Sequence, residues 1–195
     1  MNYRRNSVQL WKATLETFND PTTSEIFSIG YSSKIIISDL KEKLLKYKMA
    51  MQPVRHADNW YRISNTIYNN WGSISAMLEA VDYDFLELKQ TVQKEFKSGF
   101  PYLSGPKLFN YWSYILTTKC DVPLHHKDMI DIAVDTHVIQ SSIKLGIISQ
   151  SEGENSNRED IAKVWSSFLK GSDIAPVELN VPFWFWSRDG FTFKV

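Results

Sequence analysis

From Gly99 to His137 the sequence reads GFPYLSGPKLFNYWSYILTTKCDVPLHHKDMIDIAVDTH, and its punctuation leaves few folds open. Gly99 ends one apolar-periodic segment. Ser104-Gly105-Pro106 makes a tight turn, and Pro106 suits the first position of a helix, where its missing N–H is not needed. Asp135 follows the apolar run Ile132-Ala133-Val134 and stands before Thr136-His137-Val138, where a helix N-cap stands. The pattern is helix, hairpin, helix, loop, helix.

The flanking sequence extends it. Residues 8–18 place Val8, Trp11, Leu15 and Phe18 at helical spacing, and Asp20-Pro21 ends them. Residues 26–37 (IFSIGYSSKIII) are rich in β formers and predict a short strand pair or an irregular approach. Ser38-Asp39 caps a helix running to about Met51. Further helices are expected over 57–70, over Ser73–Val81, and from a cap at Asp84 through Phe85, Leu88, Val92 and Phe96. After the hairpin, Leu108, Tyr111, Trp112 and Ile115 form an apolar stripe. Helices follow at 136–145 and at 158–169, where Ile161, Val164, Trp165 and Phe168 mark a buried face. Residues 149–159 read as a polar loop, and 181–191 as one short helix between Pro182 and Gly190. The fold class is all-α: a single domain, 1–195, of two helical lobes flanking a cleft. One lobe is expected over about 38–118, and the other combines 1–37 with 119–195.

Hydrophobic residues make up 43% of the chain, which is ample for a core. No apolar run reaches membrane-spanning length, and no apolar core follows Arg4-Arg5 as in a signal peptide. The expectation is a monomeric, intracellular (cytoplasmic) chain with no membrane partner. The single cysteine, Cys120, excludes an internal disulfide and a four-cysteine metal cluster. His125 and His126 lack helix-fixed ligand spacing, so no metal and no cofactor are expected. No phosphate-binding glycine loop, serine-hydrolase elbow or dinucleotide fingerprint occurs.

The formal net charge is zero. Around the hairpin it is not. From Lys89 to Lys127, six basic residues (Lys89, Lys94, Lys97, Lys107, Lys119, Lys127) face two acidic ones (Glu95, Asp121), a local balance of +4. The turn Leu103-Ser104-Gly105 leaves backbone N–H groups at a helix start, and these attract a phosphate through hydrogen bonds and the helix dipole. Lys107 lies in the first turn of that helix, where the dipole disfavours a cation. Burial would disfavour it further, and the neutral amine is the nucleophilic form. A carboxylate at Asp135 can both cap a helix and stabilise a developing cation.

The strings IAVDTH and FPYLSGPKLFNYW resemble the helix-hairpin-helix DNA glycosylases, whose hairpin usually runs L-P-G-V-G-x-K or L-P-G-V-G-x-x-A. Gly105-Pro106-Lys107 matches the lysine position of the bifunctional members, and Asp135 matches the catalytic aspartate. Tyr102 or Leu103 stands where the first hairpin glycine usually stands. The 28-residue step from Lys107 to Asp135 and the missing cysteine cluster are similar to the archaeal 8-oxoguanine (GO) branch.

That resemblance implies a base-excision repair enzyme with glycosylase and apurinic/apyrimidinic lyase activity on double-stranded DNA containing a damaged base. Lys107 would be the Schiff-base nucleophile and Asp135 the catalytic carboxylate. Leu103, Ser104, Gly105 and Gln52 would contact DNA, and Trp184 or Trp186 would wall the base pocket. Oxidised guanine is the favoured lesion. Two alternatives stay open: a glycosylase of the same fold for an oxidised pyrimidine, a mismatched base or an alkylated base, and a helical DNA-binding or interaction domain without catalysis.

Overall fold

The computed structural model describes residues 7–192, so the outermost residues of the expected second lobe lie outside it. Among the described residues the secondary structure is helical, with one isolated bridge between Asp84 and His125 in place of any strand. The chain divides into two compact units. The first is 1–82 with 91–102, and the second is 83–90 with 103–195. The expected lobes cut the chain elsewhere. The N-terminal helix belongs with the segment after residue 37, and the helix bearing Lys107 belongs with the C-terminal half.

The first unit contains α1 (Ser7–Asn19), a 3₁₀ turn (Ser24–Phe27), α2 (Ile29–Ser32), α3 (Ile37–Lys46), α4 (Pro53–Trp71) and α5 (Ile74–Ala80). Its core gathers Ile26, Leu40, Leu44, Met49 and Ala57, with Ala13 from α1. Residues 26–37 form no strands. Their β propensity is overridden by local helical turns that place Ile26 in the core, where Trp60 Nε1 donates to the Ile26 carbonyl at 3.1 Å. The helix expected from Ser38 starts at Ile37 and stops at Lys46, because Lys48 takes a left-handed φ of 57°. Pro53 starts α4 four residues earlier than the spacing suggests, and Gly72, at φ 82°, ends it.

α1 forms over the residues whose spacing is helical, and it turns its periodic apolar residues away from the core. Ala13 and Thr17 are buried, while Val8, Trp11, Leu15 and Phe18 are between 56% and 60% exposed. Gly99 also acts otherwise than as a helix stop. A β-carbon there would approach Thr66 Cγ2 to 2.6 Å, so the glycine permits close packing of the Lys97–Gly99 turn on α4.

The second unit contains α6 (Phe85–Gln90), α7 (Pro106–Lys119), a 3₁₀ turn (Lys127–Met129), α8 (Thr136–Lys144), α9 (Gln150–Asn155), α10 (Arg158–Phe168) and α11 (Asn180–Arg188). Asp84 caps α6 as expected, its Oδ1 accepting from Leu86 N and Glu87 N at 2.8 and 3.0 Å. The core joins Ile132, Val134, Val138, Ile161, Trp165 and Phe183. The supposed polar loop 149–159 holds α9, started by a capping box between Ser149 and Glu152. The buried face of α7 is Phe109, Asn110, Ser113 and Leu116, not the expected stripe, and Leu108 and Tyr111 are exposed. On α10, Ile161 and Trp165 are buried as expected, whereas Val164 and Phe168 are exposed.

Candidate functional site

Gly105 is the N-cap of α7 with extended backbone, φ −110° and ψ 154°, and Pro106 occupies the first turn. No side chain caps this helix start. Its first-turn N–H groups belong to Lys107 and Leu108, since Pro106 has none. A β-carbon at Gly105 would meet nothing within 4 Å, so the glycine leaves open space beside the helix end. Leu103, Ser104 and Gly105 are half-buried, while Lys107 is exposed. The burial expected for Lys107 is therefore absent. The two limbs of the expected hairpin fall in different units, with Thr91–Tyr102 in the first and Leu103 onward in the second.

Asp135 lies in the second unit with Lys107. It is the N-cap of α8, as the sequence implies. Its Oδ1 accepts from His137 N at 2.9 Å and from Val138 N at 3.0 Å. The side chain is half-buried, and the three residues before it, Ile132, Ala133 and Val134, are each no more than 3% exposed. Capping engages one carboxylate oxygen, which leaves Oδ2 for other chemistry.

Two positioning contacts escape sequence reading. Asn180, at the start of α11, exchanges two hydrogen bonds with the backbone of Ala133, each 2.9 Å. Ser166 Oγ on α10 donates to Asp131 Oδ1 at 2.8 Å. Together they fix both ends of the segment that delivers Asp135. The partners lie far apart in sequence, so the only local signal is an amide residue at a helix start.

Beyond Asp135 a polar chain links α8 to α11. Ser187 Oγ donates to Gln140 Oε1 at 2.7 Å, and His137 Nδ1 lies 3.1 Å from the same hydroxyl. Trp184 packs edge-on against His137, with ring centroids 5.9 Å apart. The Arg188 guanidinium lies over Trp184 at 4.7 Å and over Phe185 at 4.8 Å. Trp184 is thus a half-buried ring with polar neighbours. Trp186 packs on the apolar core of its unit and meets Phe191 edge-to-face at 4.9 Å.

Gln52 lies in the first unit, half-buried at the N-cap position of α4, where its side chain makes no cap bond. His126, weighed as a metal ligand, instead contacts Asp84, Nδ1 to Oδ2 at 2.6 Å. Among the described residues no three metal-ligating side chains converge, and no helix is long and apolar enough to cross a membrane. No family model, curated protein or solved structure matches this chain.

Proposed function

We propose that this chain is a DNA glycosylase with lyase activity, acting on a damaged base in double-stranded DNA, with Lys107 as nucleophile and Asp135 as the catalytic carboxylate. The observation that carries the reading is Asp135 itself. It caps α8 through one oxygen, it remains half-exposed, and it follows a buried segment clamped by Asn180. The uncapped start of α7 offers N–H groups to a DNA phosphate, which answers a net charge of zero.

In this mechanism the damaged nucleotide leaves the stack, at a cost of a few kcal/mol. The bond from C1′ to the base breaks, and Asp135 stabilises the positive charge that grows on the sugar. The Lys107 amine bonds to C1′, and the base departs with a proton. Ring opening gives a protonated imine. Loss of the C2′ proton then expels the 3′ phosphate, which nicks the strand. Oxidised guanine is the lesion proposed, on the resemblance of the Lys107–Asp135 interval to the GO branch.

Borohydride trapping on duplexes carrying single lesions tests the proposal. The native protein is expected to form a covalent adduct with the 8-oxoguanine duplex, and Lys107→Gln to form none. Lys107 is exposed, so that substitution leaves the fold unchanged. Absence of any adduct and any excision across the lesion panel would overturn the enzymatic reading and leave the non-catalytic one.

A further inference from the structure

Two segments of the second unit meet outside its helices. His125 N donates to the Tyr83 carbonyl at 2.8 Å, and Phe85 N donates to the His125 carbonyl at 3.2 Å. These two bonds make the isolated bridge between Asp84 and His125. A side-chain pair closes beside them. Asp84 Oδ1 caps α6, and its Oδ2 lies 2.6 Å from His126 Nδ1. The segment so held, 121–126, runs between the end of α7 and the buried run that delivers Asp135.

The backbone on both sides of the bridge is left-handed. φ is 49° at Asp82, 54° at Tyr83 and 55° at His126. Asp and His take this region more readily than most residues, whereas a bulky residue such as Tyr83 stays there only where its surroundings hold it. Two backbone bonds hold it weakly, because the bridge is isolated and no strand pair extends it. The Asp84–His126 pair is a third tie, and unlike the backbone bonds it depends on charge.

We propose that the Asp84–His126 pair is a pH-operated latch: a protonated His126 locks the 121–126 segment onto residues 83–85, and loss of that proton loosens the bridge. Asp84 is ionised throughout the range in which histidines titrate. The Glu87 N–H first, and then the His126 imidazole and the Leu86 N–H, hold its carboxyl below the usual carboxylate range, against its partial burial. The proton that decides the pair is therefore the one on the imidazole. The charged pair is complete at about pH 5.5 and is lost as pH rises toward about 8. Among the described residues, Asp84 is the ion-pair partner of His126. The other charged residues of the joined segments are Asp82, Glu87 and Lys89 on one side and Lys119, Asp121, Lys127 and Asp128 on the other, and all keep a fixed charge in that range. His125 titrates there too, but it is exposed and makes no ion pair among the described residues.

Amide hydrogen exchange on the full chain, followed by NMR between about pH 5.5 and about pH 8, tests it, because the Phe85 and His125 amides are the donors of the bridge. Exchange is read as protection factors, which remove its intrinsic pH dependence. Both amides are expected to lose protection about threefold or more across that range, the scale of a partly exposed ion pair, while the Trp165 amide in α10 does not follow them. His126→Asn keeps a residue at ease in left-handed backbone, and Asp84→Asn keeps the α6 cap. In each variant the two amides are expected to stay at the lower protection and to ignore pH. His125→Gln is expected to keep the native response. Circular dichroism verifies the fold of each variant, and the response of the native protein is decisive even where a variant fails to fold. Protection that does not change with pH in the native protein, or a loss shared equally by the Trp165 amide, would overturn the proposal. So would a response that survives His126→Asn or Asp84→Asn, or one that His125→Gln abolishes.

Discussion

The side-chain amide of Asn180 satisfies both backbone groups of Ala133, accepting from its N–H and donating to its carbonyl at 2.9 Å each. Both residues are buried, Asn180 at 8% exposure and Ala133 at 3%. Backbone outside the helices of a helical unit has no regular partner to bond to, and a buried peptide group left unpaired is costly. Asn180 supplies the missing ladder for one residue, two positions before Asp135. It ties the candidate catalytic carboxylate to α11 as well as to its own helix α8.

Asn180→Ala should therefore be among the more damaging polar substitutions in the second unit. It strands one donor and one acceptor away from water, for an expected loss of about 2–4 kcal/mol. Asn180→Asp can accept from Ala133 but cannot donate to it, and should also be destabilising. Urea unfolding of the two variants measures this. A midpoint for Asn180→Ala within error of the native protein would show that the clamp contributes nothing.

Asp135→Asn separates capping from catalysis. Asn caps a helix about as well as Asp, so stability should change by less than about 0.5 kcal/mol. Asp135→Ala removes the cap and should cost about 1 kcal/mol. Both should lose most base excision if the carboxylate stabilises the sugar cation, while binding of lesion-bearing duplex persists. Near-normal excision by Asp135→Asn, with unchanged binding, would reduce Asp135 to a helix cap.

The Asp135 cap was legible because an N-cap is local: the side chain bonds N–H groups two and three residues on, and the string Val134-Asp135-Thr136-His137 contains the whole arrangement. Pro106 at the start of α7 was legible for the same reason. The Asn180–Ala133 clamp was not, because its partners are 47 residues apart and meet only through packing. The Val8–Phe18 stripe shows another limit. Periodicity tells which face of a helix is apolar, and it does not tell whether anything covers that face. α9 is a different case. Ser149 and Glu152 spell a capping box, and the polar, glycine-containing composition of 149–159 concealed it. Of the proposed site residues, Lys107 and Asp135 share a unit, while Gln52 belongs to the other.

The first unit has an acid-sensitive knot. The Lys46 ammonium bonds the Asp20 carboxylate at 2.5 Å, and Thr22 N, the Thr22 hydroxyl and Tyr47 add hydrogen bonds, tying the end of α1 to the end of α3. Lys46 first, and then the Thr22 N–H, hold the Asp20 carboxyl well below the usual carboxylate range. A lowered folded value means that the stabilisation is complete above the unfolded value near pH 4 and is lost as pH falls through the folded one. Asp20→Asn should lower the melting temperature by a constant amount from about pH 7 to about pH 5. Below about pH 4 the gap between native and variant should narrow. A gap that stays constant to the lowest pH at which the protein folds would mean that the carboxylate charge is not what holds the knot.

The two C-terminal tryptophans, either of which the resemblance makes a wall of the base pocket, should behave differently. Trp186 is half-buried against the apolar core of the second unit and against Phe191, so Trp186→Ala should destabilise the protein measurably, by less than the about 3–5 kcal/mol of a fully buried tryptophan. Trp184 has His137 at its edge and the Arg188 guanidinium over its face at 4.7 Å, on the helix packed against the one Asp135 caps. A flat ring already stacked by a cation is the kind of surface an extruded base can take in exchange, for roughly 1–3 kcal/mol per stacked base. Trp184→Ala should therefore leave the melting temperature nearly unchanged and weaken binding of lesion-bearing duplex by about tenfold or more. Arg188→Ala should uncover the Trp184 ring and change its fluorescence, and the added quenching by lesion-bearing DNA should survive in that variant. Equal destabilisation by both tryptophan variants would make Trp184 a core residue too. Full DNA binding by a stable Trp184→Ala would put the base pocket elsewhere.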